Sequence, residues 1–361
     1  MKSDIPTSNK PHYVALDGLR GVAAIAVMVG HYLVVFLGYD TIDNPLAHSF
    51  LAVDFFFCLS GFVIAYAYDG RLKQIGVKRF FINRLIRLHP LVVIGSIIGM
   101  VAYAIAPFEE NTFASEWKSI SIALLLSLFM IPFPFLKRKQ GSLFGFNGPA
   151  WSLFFEYFAN VVYAIVLSRI TRKWLIMIGA LSMAFLIYQS RKLGWIEGGW
   201  GLSNYMEGFA RISFSFTAGL LIYHYRIICR HKFGFILPCI LLIGTFFIPH
   251  YPKDYILEQF VVILVLPAIV CIGAGTTTVG IFDSICNLLG RISYPLYMTH
   301  MTMVTIFTNY EKTHKSIVGT SKEIIIAISL IVFSLLFAYT IMRWVDEPVR
   351  KWLTKVYRQK G

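Results

Sequence analysis

The chain has 361 residues, of which 57% are hydrophobic, 16% aromatic and only 14% charged. With a mean hydropathy of +0.66, this composition excludes a soluble domain, which cannot hide so much apolar surface, and points to a polytopic membrane protein. The formal net charge of +14 reads as the Lys/Arg excess of cytoplasmic loops beside anionic membrane lipids. No nucleic-acid partner is expected.

The polar opening "MKSDIPTSNKPHY" runs straight into an apolar stretch. It has no short h-region with a small-residue cleavage site, so it reads as an uncleaved signal anchor. A bilayer-spanning helix needs roughly 20 mostly apolar residues. Eleven candidate spans follow in order: 14–38, 47–68, 90–107, 118–136, 149–168, 174–190, 207–225, 234–249, 257–275, 288–308 and 323–344. No soluble insertion, linker or repeat separates them. Residues 1–361 are therefore expected to form a single all-α, polytopic helical membrane bundle.

Loop charge sets the orientation. "DGRLKQIGVKRFFINRLIRLH" carries Arg71, Lys73, Lys78, Arg79, Arg84 and Arg87 and belongs in the cytoplasm. "SRITRK", "RIICRHK" and the tail "RKWLTKVYRQKG" belong there too, whereas "YDTIDNPL", with Asp40 and Asp43, suits the outer side. Both termini are then cytoplasmic, and an even number of crossings is required. The odd count points to residues 90–150, where Pro132 and Pro134 interrupt an apolar run. One segment there is expected to re-enter or to lie in the interface, leaving about ten full transmembrane helices.

The first span, "LDGLRGVAAIAVMVGH", carries Asp17, Arg20 and His31. Each Asp or Arg at a helix centre costs about 2.5–3.5 kcal/mol on insertion scales. At about 100° per residue, Arg20 and His31 lie almost on one line of the helix, with a rise between them of about 16 Å. Two readings stand. In one, Asp17 and Arg20 pair at the interface and His31 is a hydrogen-bonded packing residue. In the other, the stripe is a binding slot in which Arg20 holds an anionic ligand and His31 meets its reactive end.

Further along, Trp195 and Trp200 in "RKLGWIEGGWGLSNYMEG" suit either interface anchoring or stacking on a sugar. Arg211 and His224 sit in the seventh span, where they suit a cavity wall. Arg291 and His300 are nine residues apart and face opposite sides of a regular helix. The five cysteines, Cys58, Cys229, Cys239, Cys271 and Cys286, form no CxxC pair. They read as small core residues, and no disulfide, zinc site or other metal is expected.

Six stretches in order resemble the motifs of acyltransferase family 3, bacterial integral-membrane enzymes that acylate cell-surface glycans and sometimes small molecules. They are "LDGLRGVAAIAVMVGH" through Arg20 and His31, "AVDFFFCLSGFVI" through Asp54 and Ser60, and "NRLIRLHP" through Arg84, Arg87 and Pro90. "PAWSLFFEYF" follows through Trp151, Ser152 and Glu156, "GRISYPLYMTH" through Arg291, Ser293, Tyr294 and His300, and finally "DEPVRKW". His89 stands where relatives often carry Tyr. The chain resembles the stand-alone form, without the hydrolase-like C-terminal domain of many relatives.

The resemblance implies an acyltransferase of the bacterial inner membrane. An acyl group, most simply acetyl, would pass from cytoplasmic acetyl-CoA or another acyl-CoA to a hydroxyl of a glycan or lipid-linked glycan. The donor is a co-substrate, and no permanently bound cofactor is expected. Arg20, Arg84 and Arg87 would hold the donor phosphates, since guanidinium binds phosphate in bidentate fashion. His31, with an ordinary pKa near 6.5, would act as general base or carry the acyl group briefly. Asp54 or Glu156 would orient it. Trp151, Ser152, Arg291 and Tyr294 would line the substrate site, with Ser152 capping the helix after Pro149. Two alternatives remain at this stage: a secreted small molecule as acceptor, and a transporter or flippase whose buried charges form a transport path.

Overall fold

The computed structural model describes residues 12–37, 43–251, 254–313 and 321–360. Residues 1–11 of the polar opening, and Asp40, fall outside them. Among the described residues there is no strand, only the isolated bridges Phe133–Phe144 and Ser142–Gly201. The helices are α1 (Val14–Leu37), α2 (Ala52–Tyr68) after a 3-10 turn (Ala47–Leu51), a short α3 (Leu72–Ile75), α4 (Val77–Ile105), α5 (Phe113–Leu128), α6 (Ala150–Val162) and α7 (Arg172–Leu193). They continue with α8 (Tyr205–His224), α9 (Ile236–Phe246), α10 (Tyr255–Phe260), α11 (Leu266–Gly275), α12 (Ile281–Thr313), α13 (Ser321–Ile341) and α14 (Glu347–Lys360). A π-turn at Val261–Val265 joins α10 to α11, and another at Met342–Asp346 joins α13 to α14.

Each of the eleven expected spans contains a helix, though in 118–136 the helix stops at Leu128. Seven continuous helices among the described residues are long and apolar enough to cross a membrane. The protein is thus an all-α, multi-pass bundle. α8 and α12, with 20 and 33 residues, are long enough but less apolar, because they carry Glu207, Arg211, Arg291 and His300. α9 has 11 residues and rises only about 16 Å, roughly half the thickness of the hydrocarbon core.

α5 lies in the interval where a segment short of a full crossing was expected. Its first-turn Glu116 accepts the backbone N–H of Lys137 at 2.9 Å, and also bonds Tyr103 Oη and Thr112 Oγ1. Arg138 pairs with Glu109 at 2.9 Å. The chain therefore descends through α5, turns after Leu128 and climbs back through Pro132 and Pro134 to the end of the bundle it left. It is a re-entrant hairpin within the expected interval. The two prolines suit its extended return, since they cannot donate the bonds a helix needs.

Loops of like expected side share an end. His224 lies 3.9 Å from Asp69, the Arg172 guanidinium lies 5.7 Å from the Tyr225 ring, and His231 bonds Thr276 at 2.9 Å. At the opposite end, Leu143 N–H bonds Trp200 O at 3.0 Å and Ile196 N–H bonds Glu258 at 2.8 Å. The inner helices pack through small residues, as close helix contacts in lipid require. α2 and α8 touch backbone to backbone: a Cβ at Gly61 would sit 2.1 Å from Phe216 O, and one at Gly219 would sit 2.0 Å from Cys58 O. α1 meets α12 in the same manner, with Gly21 against Leu289 and Gly290 against Asp17. That contact fixes the Arg20–His31 stripe against the face of α12.

Candidate functional site

Two cavities enter the bundle from opposite ends. α1, α2, α4 and α12 each give one end to one cavity and the other end to the second. The larger, about 1180 Å³, opens at the end of the basic loops. Its wall carries nine Arg or Lys residues against four Asp or Glu, so it favours an anionic ligand.

Arg20 lies on this wall, tied three ways. It pairs with Asp17 at 2.9 Å, donates Nε to Ser293 Oγ at 2.9 Å and donates Nη2 to the Gly290 carbonyl at 2.8 Å. The Asp17–Arg20 pair of the first reading is thus present, on the wall of a cavity that His31 does not line. Arg84 donates Nη2 to Glu156 Oε1 at 2.5 Å, and Ser60 Oγ donates to the same oxygen at 2.8 Å. The Arg84 Nε is buried without a hydrogen-bond partner. Arg87 is open to the cavity. Arg291 binds Glu347 at 2.7 Å, and Tyr294 Oη donates to the Leu88 carbonyl at 2.6 Å. The remaining cations, Arg343, Arg350, Lys351, Lys355 and Arg358, come from the end of the last helix.

The smaller cavity, about 300 Å³, holds His31, Trp151, Trp200 and Arg211 on its wall. The His31 ring stacks on His300 with centroids 5.4 Å apart and planes 24° apart. His300 Nδ1 donates to the Leu296 carbonyl at 3.0 Å, and its buried Nε2 has no hydrogen-bond partner. Among the described residues, Tyr297 is the only side chain on both cavity walls. Its hydroxyl lies 2.8 Å from Ser152 Oγ, and Ser152 spends its own proton on the Pro149 carbonyl at 3.0 Å. Tyr297 is therefore the donor. Its ring sits 6.0 Å from that of His300.

Several expectations need correction. Asp54 does not orient His31. It is buried in an ion pair with Arg211, at 2.7 Å to Nη2, because the first turn of α2 faces α8. Glu156 does not orient it either: it sits with Arg84 and Ser60 on the other cavity. Ser152 is not the N-cap of α6, since its hydroxyl donates to a carbonyl and accepts from Tyr297. Of the expected substrate group, Trp151 lines the His31 cavity, while Ser152, Arg291 and Tyr294 line the basic one. Trp195 and His224 line neither, whereas Arg211 and Trp200 line the smaller. All five cysteines are free.

Sequence reasoning missed Tyr297 as a junction and His300 as the partner of His31, although the two lie three residues apart, on one face of α12. It also missed that 343, 347, 350, 351, 354, 355 and 358 repeat at helical spacing and line the basic cavity from one side.

Fold and cavities together define a multi-pass helical membrane protein whose two cavities share Tyr297 in their walls, beside a histidine pair. The chain belongs to acyltransferase family 3: the family's acyltransferase domain matches residues 13–343. Among curated proteins it is 37% identical to "Protein 2 in picA locus" of Rhizobium radiobacter over 185 residues, which is 48% of this chain and 93% of that one. It is 32% identical to "Acyltransferase MdmB" of Streptomyces mycarofaciens over 151 residues, 40% of this chain and 36% of that relative's length. No solved structure matches.

Proposed function

We propose that the protein transfers an acyl group, acetyl in the simplest case, from cytoplasmic acyl-coenzyme A to a hydroxyl of an exported or cell-surface glycan across the bacterial inner membrane. The end bearing the basic cavity faces the cytoplasm in this reading. The donor phosphates rest on Arg20, Arg84 and Arg87, and the flexible arm runs along α1. The rise of about 16 Å from Arg20 to His31 is comparable to that arm. The acceptor enters the smaller cavity, where Trp151 and Trp200 offer flat faces to a sugar.

The step then closes on these residues. The acceptor oxygen bonds to the thioester carbonyl carbon while His31 takes its proton. The C–S bond breaks, and the departing thiolate takes that proton from His31. The products are an ester and free coenzyme A. His300 stacks on His31 and holds its ring in place.

The observation that carries this reading is the meeting of an anion-binding cavity and a histidine-bearing cavity at one side chain. A transporter needs a path that alternates between ends, and the family match favours chemistry instead. The test is purified, reconstituted protein given labelled acetyl-coenzyme A, with release of free coenzyme A as the readout. His31→Ala should lower turnover at least about a hundredfold in protein that extracts as a monodisperse species. Near-normal turnover in folded His31→Ala would overturn the assignment. Mass spectrometry of surface glycans from a deletion strain identifies the acceptor.

A further inference from the structure

A second polar cluster lies at the end of the bundle opposite the basic cavity. His48 stands in the 3-10 turn before α2, His250 and Asp254 in the α9–α10 connection, and Glu258 in the first turn of α10. None of the four lines either cavity, so the acyl-transfer reading leaves them unused.

The His48 side chain is 1% exposed. Its Nδ1 lies 2.9 Å from the Ile248 carbonyl oxygen. A carbonyl only accepts, so Nδ1 carries the proton. Nε2 is buried, has no hydrogen-bond partner and lies 3.8 Å from Glu258 Oε1 and 3.9 Å from Asp254 Oδ2. Those separations are too long for a hydrogen bond. A bare lone pair facing two carboxylates would be repulsive unless positive charge lies between them.

The geometry suits one cation bound by His48, His250 and Glu258. Zinc-to-ligand distances of about 2.0–2.1 Å in a tetrahedron place the ligand atoms about 3.3 Å from one another. Here the ligand atoms of His48, His250 and Glu258 all lie within 4.8 Å of each other, and His250 Nδ1 is 3.7 Å from Asp254 Oδ2. Outer hydrogen bonds already orient the ligands, as metal sites require. Ile248 fixes the His48 tautomer, Ile196 N–H holds Glu258 Oε2 at 2.8 Å, and Tyr251 N–H bonds Asp254.

We propose that His48, His250 and Glu258 bind one divalent transition-metal ion of the zinc type, with Asp254 beside it. Two imidazoles and one carboxylate supply three protein ligands and leave a fourth position, with Asp254 Oδ2 3.9 Å from His48 Nε2 and 3.7 Å from His250 Nδ1. The ion joins the turn before α2 to the α9–α10 connection. Through Ile196 it also anchors the loop at 194–204, whose Trp200 lines the smaller cavity.

The test uses full-length detergent-purified protein, stripped with a chelator and titrated with Co²⁺. Bound metal is counted by elemental analysis, and coordination is read from the visible absorption of tetrahedral cobalt. One ion per chain is expected. His250→Ala, at a site 19% exposed, and Glu258→Gln, which keeps an acceptor for Ile196, should each weaken binding at least about tenfold. His231→Ala, at the other end of the bundle, should leave binding unchanged. Wild-type protein that takes up no stoichiometric ion overturns the proposal, as does unchanged affinity in both ligand variants. These readouts do not involve acyl transfer, so they stand or fall apart from the proposed function.

Discussion

Asp54→Asn tests how the smaller cavity is held open. Arg211 is fully buried, and the side-chain carbonyl of Asn still accepts a hydrogen bond but no longer compensates the charge. In the native structure Arg211 places Nε and Nη2 on Asp54, Nη1 on the Gly198 carbonyl at 2.9 Å and Nη2 on the Phe50 carbonyl at 3.1 Å. Its guanidinium also lies 5.3 Å from the Trp151 ring. Removing one partner of such a pair leaves an uncompensated buried charge, which costs about 3–5 kcal/mol. Domains of 150–250 residues shift by about 2–4 °C per kcal/mol, so the expected fall in Tm is several degrees or more. Thermal unfolding of the detergent-solubilised variant, followed by tryptophan fluorescence, measures it. The double variant Asp54→Leu with Arg211→Met should lose less than the sum of its single substitutions, because both charges leave together. A change below about 1 kcal/mol for Asp54→Asn, or strict additivity in the cycle, would refute the argument that the pair acts as a unit.

Tyr297→Trp should obstruct the junction of the cavities, abolishing transfer while acyl-coenzyme A still binds by equilibrium dialysis; normal turnover would mean that the cavities connect elsewhere. Arg87→Lys keeps the charge but loses the bidentate fork, so donor KM should rise about tenfold with kcat nearly unchanged; an unaltered donor KM would remove Arg87 from the phosphate site. Gly99→Ala should fail to accumulate as a monodisperse species, because the new Cβ would fall 1.7 Å from the Phe146 carbonyl oxygen; normal thermal stability would contradict that close approach. Cysteines placed at Lys78 and at Asp43 should label from opposite sides of the membrane; labelling of both from outside would contradict the orientation.

The helical bundle was legible because apolar runs near 20 residues have few other fates in lipid. The Arg20–His31 stripe was legible because both residues ride on one helix, where 100° steps fix their relation. The re-entrant hairpin was legible as an interval, from parity and from Pro132 and Pro134, but its turn depended on Glu116 meeting Lys137. Partners on different helices were not legible. Asp54 and Glu156 both read as carboxylates for His31, yet Asp54 faces Arg211 on α8 and Glu156 faces Arg84 on α4, since interhelical rotation decides such pairs. His300 lay in plain view in "YMTH" and still could not be assigned to His31 until α1 packed on α12. The cation stripe on α14 was readable from its spacing and went unread, because a basic tail is also what the positive-inside rule predicts.

Tyr297, the one side chain among the described residues that both cavity walls share, has an electrical consequence. Aqueous cavities entering from both faces carry the bulk potentials inward, so the membrane voltage falls mostly across the thin layer around Tyr297 and Ser152. A charge moved fully through that layer exchanges about 2.3 kcal/mol with a potential of 100 mV. In the proposed transfer, a proton passes one way through this layer while the acyl group passes the other, and an uncharged hydroxyl and thioester become an uncharged ester and thiol. A turnover then carries no net charge through the steepest part of the field, and the equilibrium of acylation is independent of the energised state of the cell.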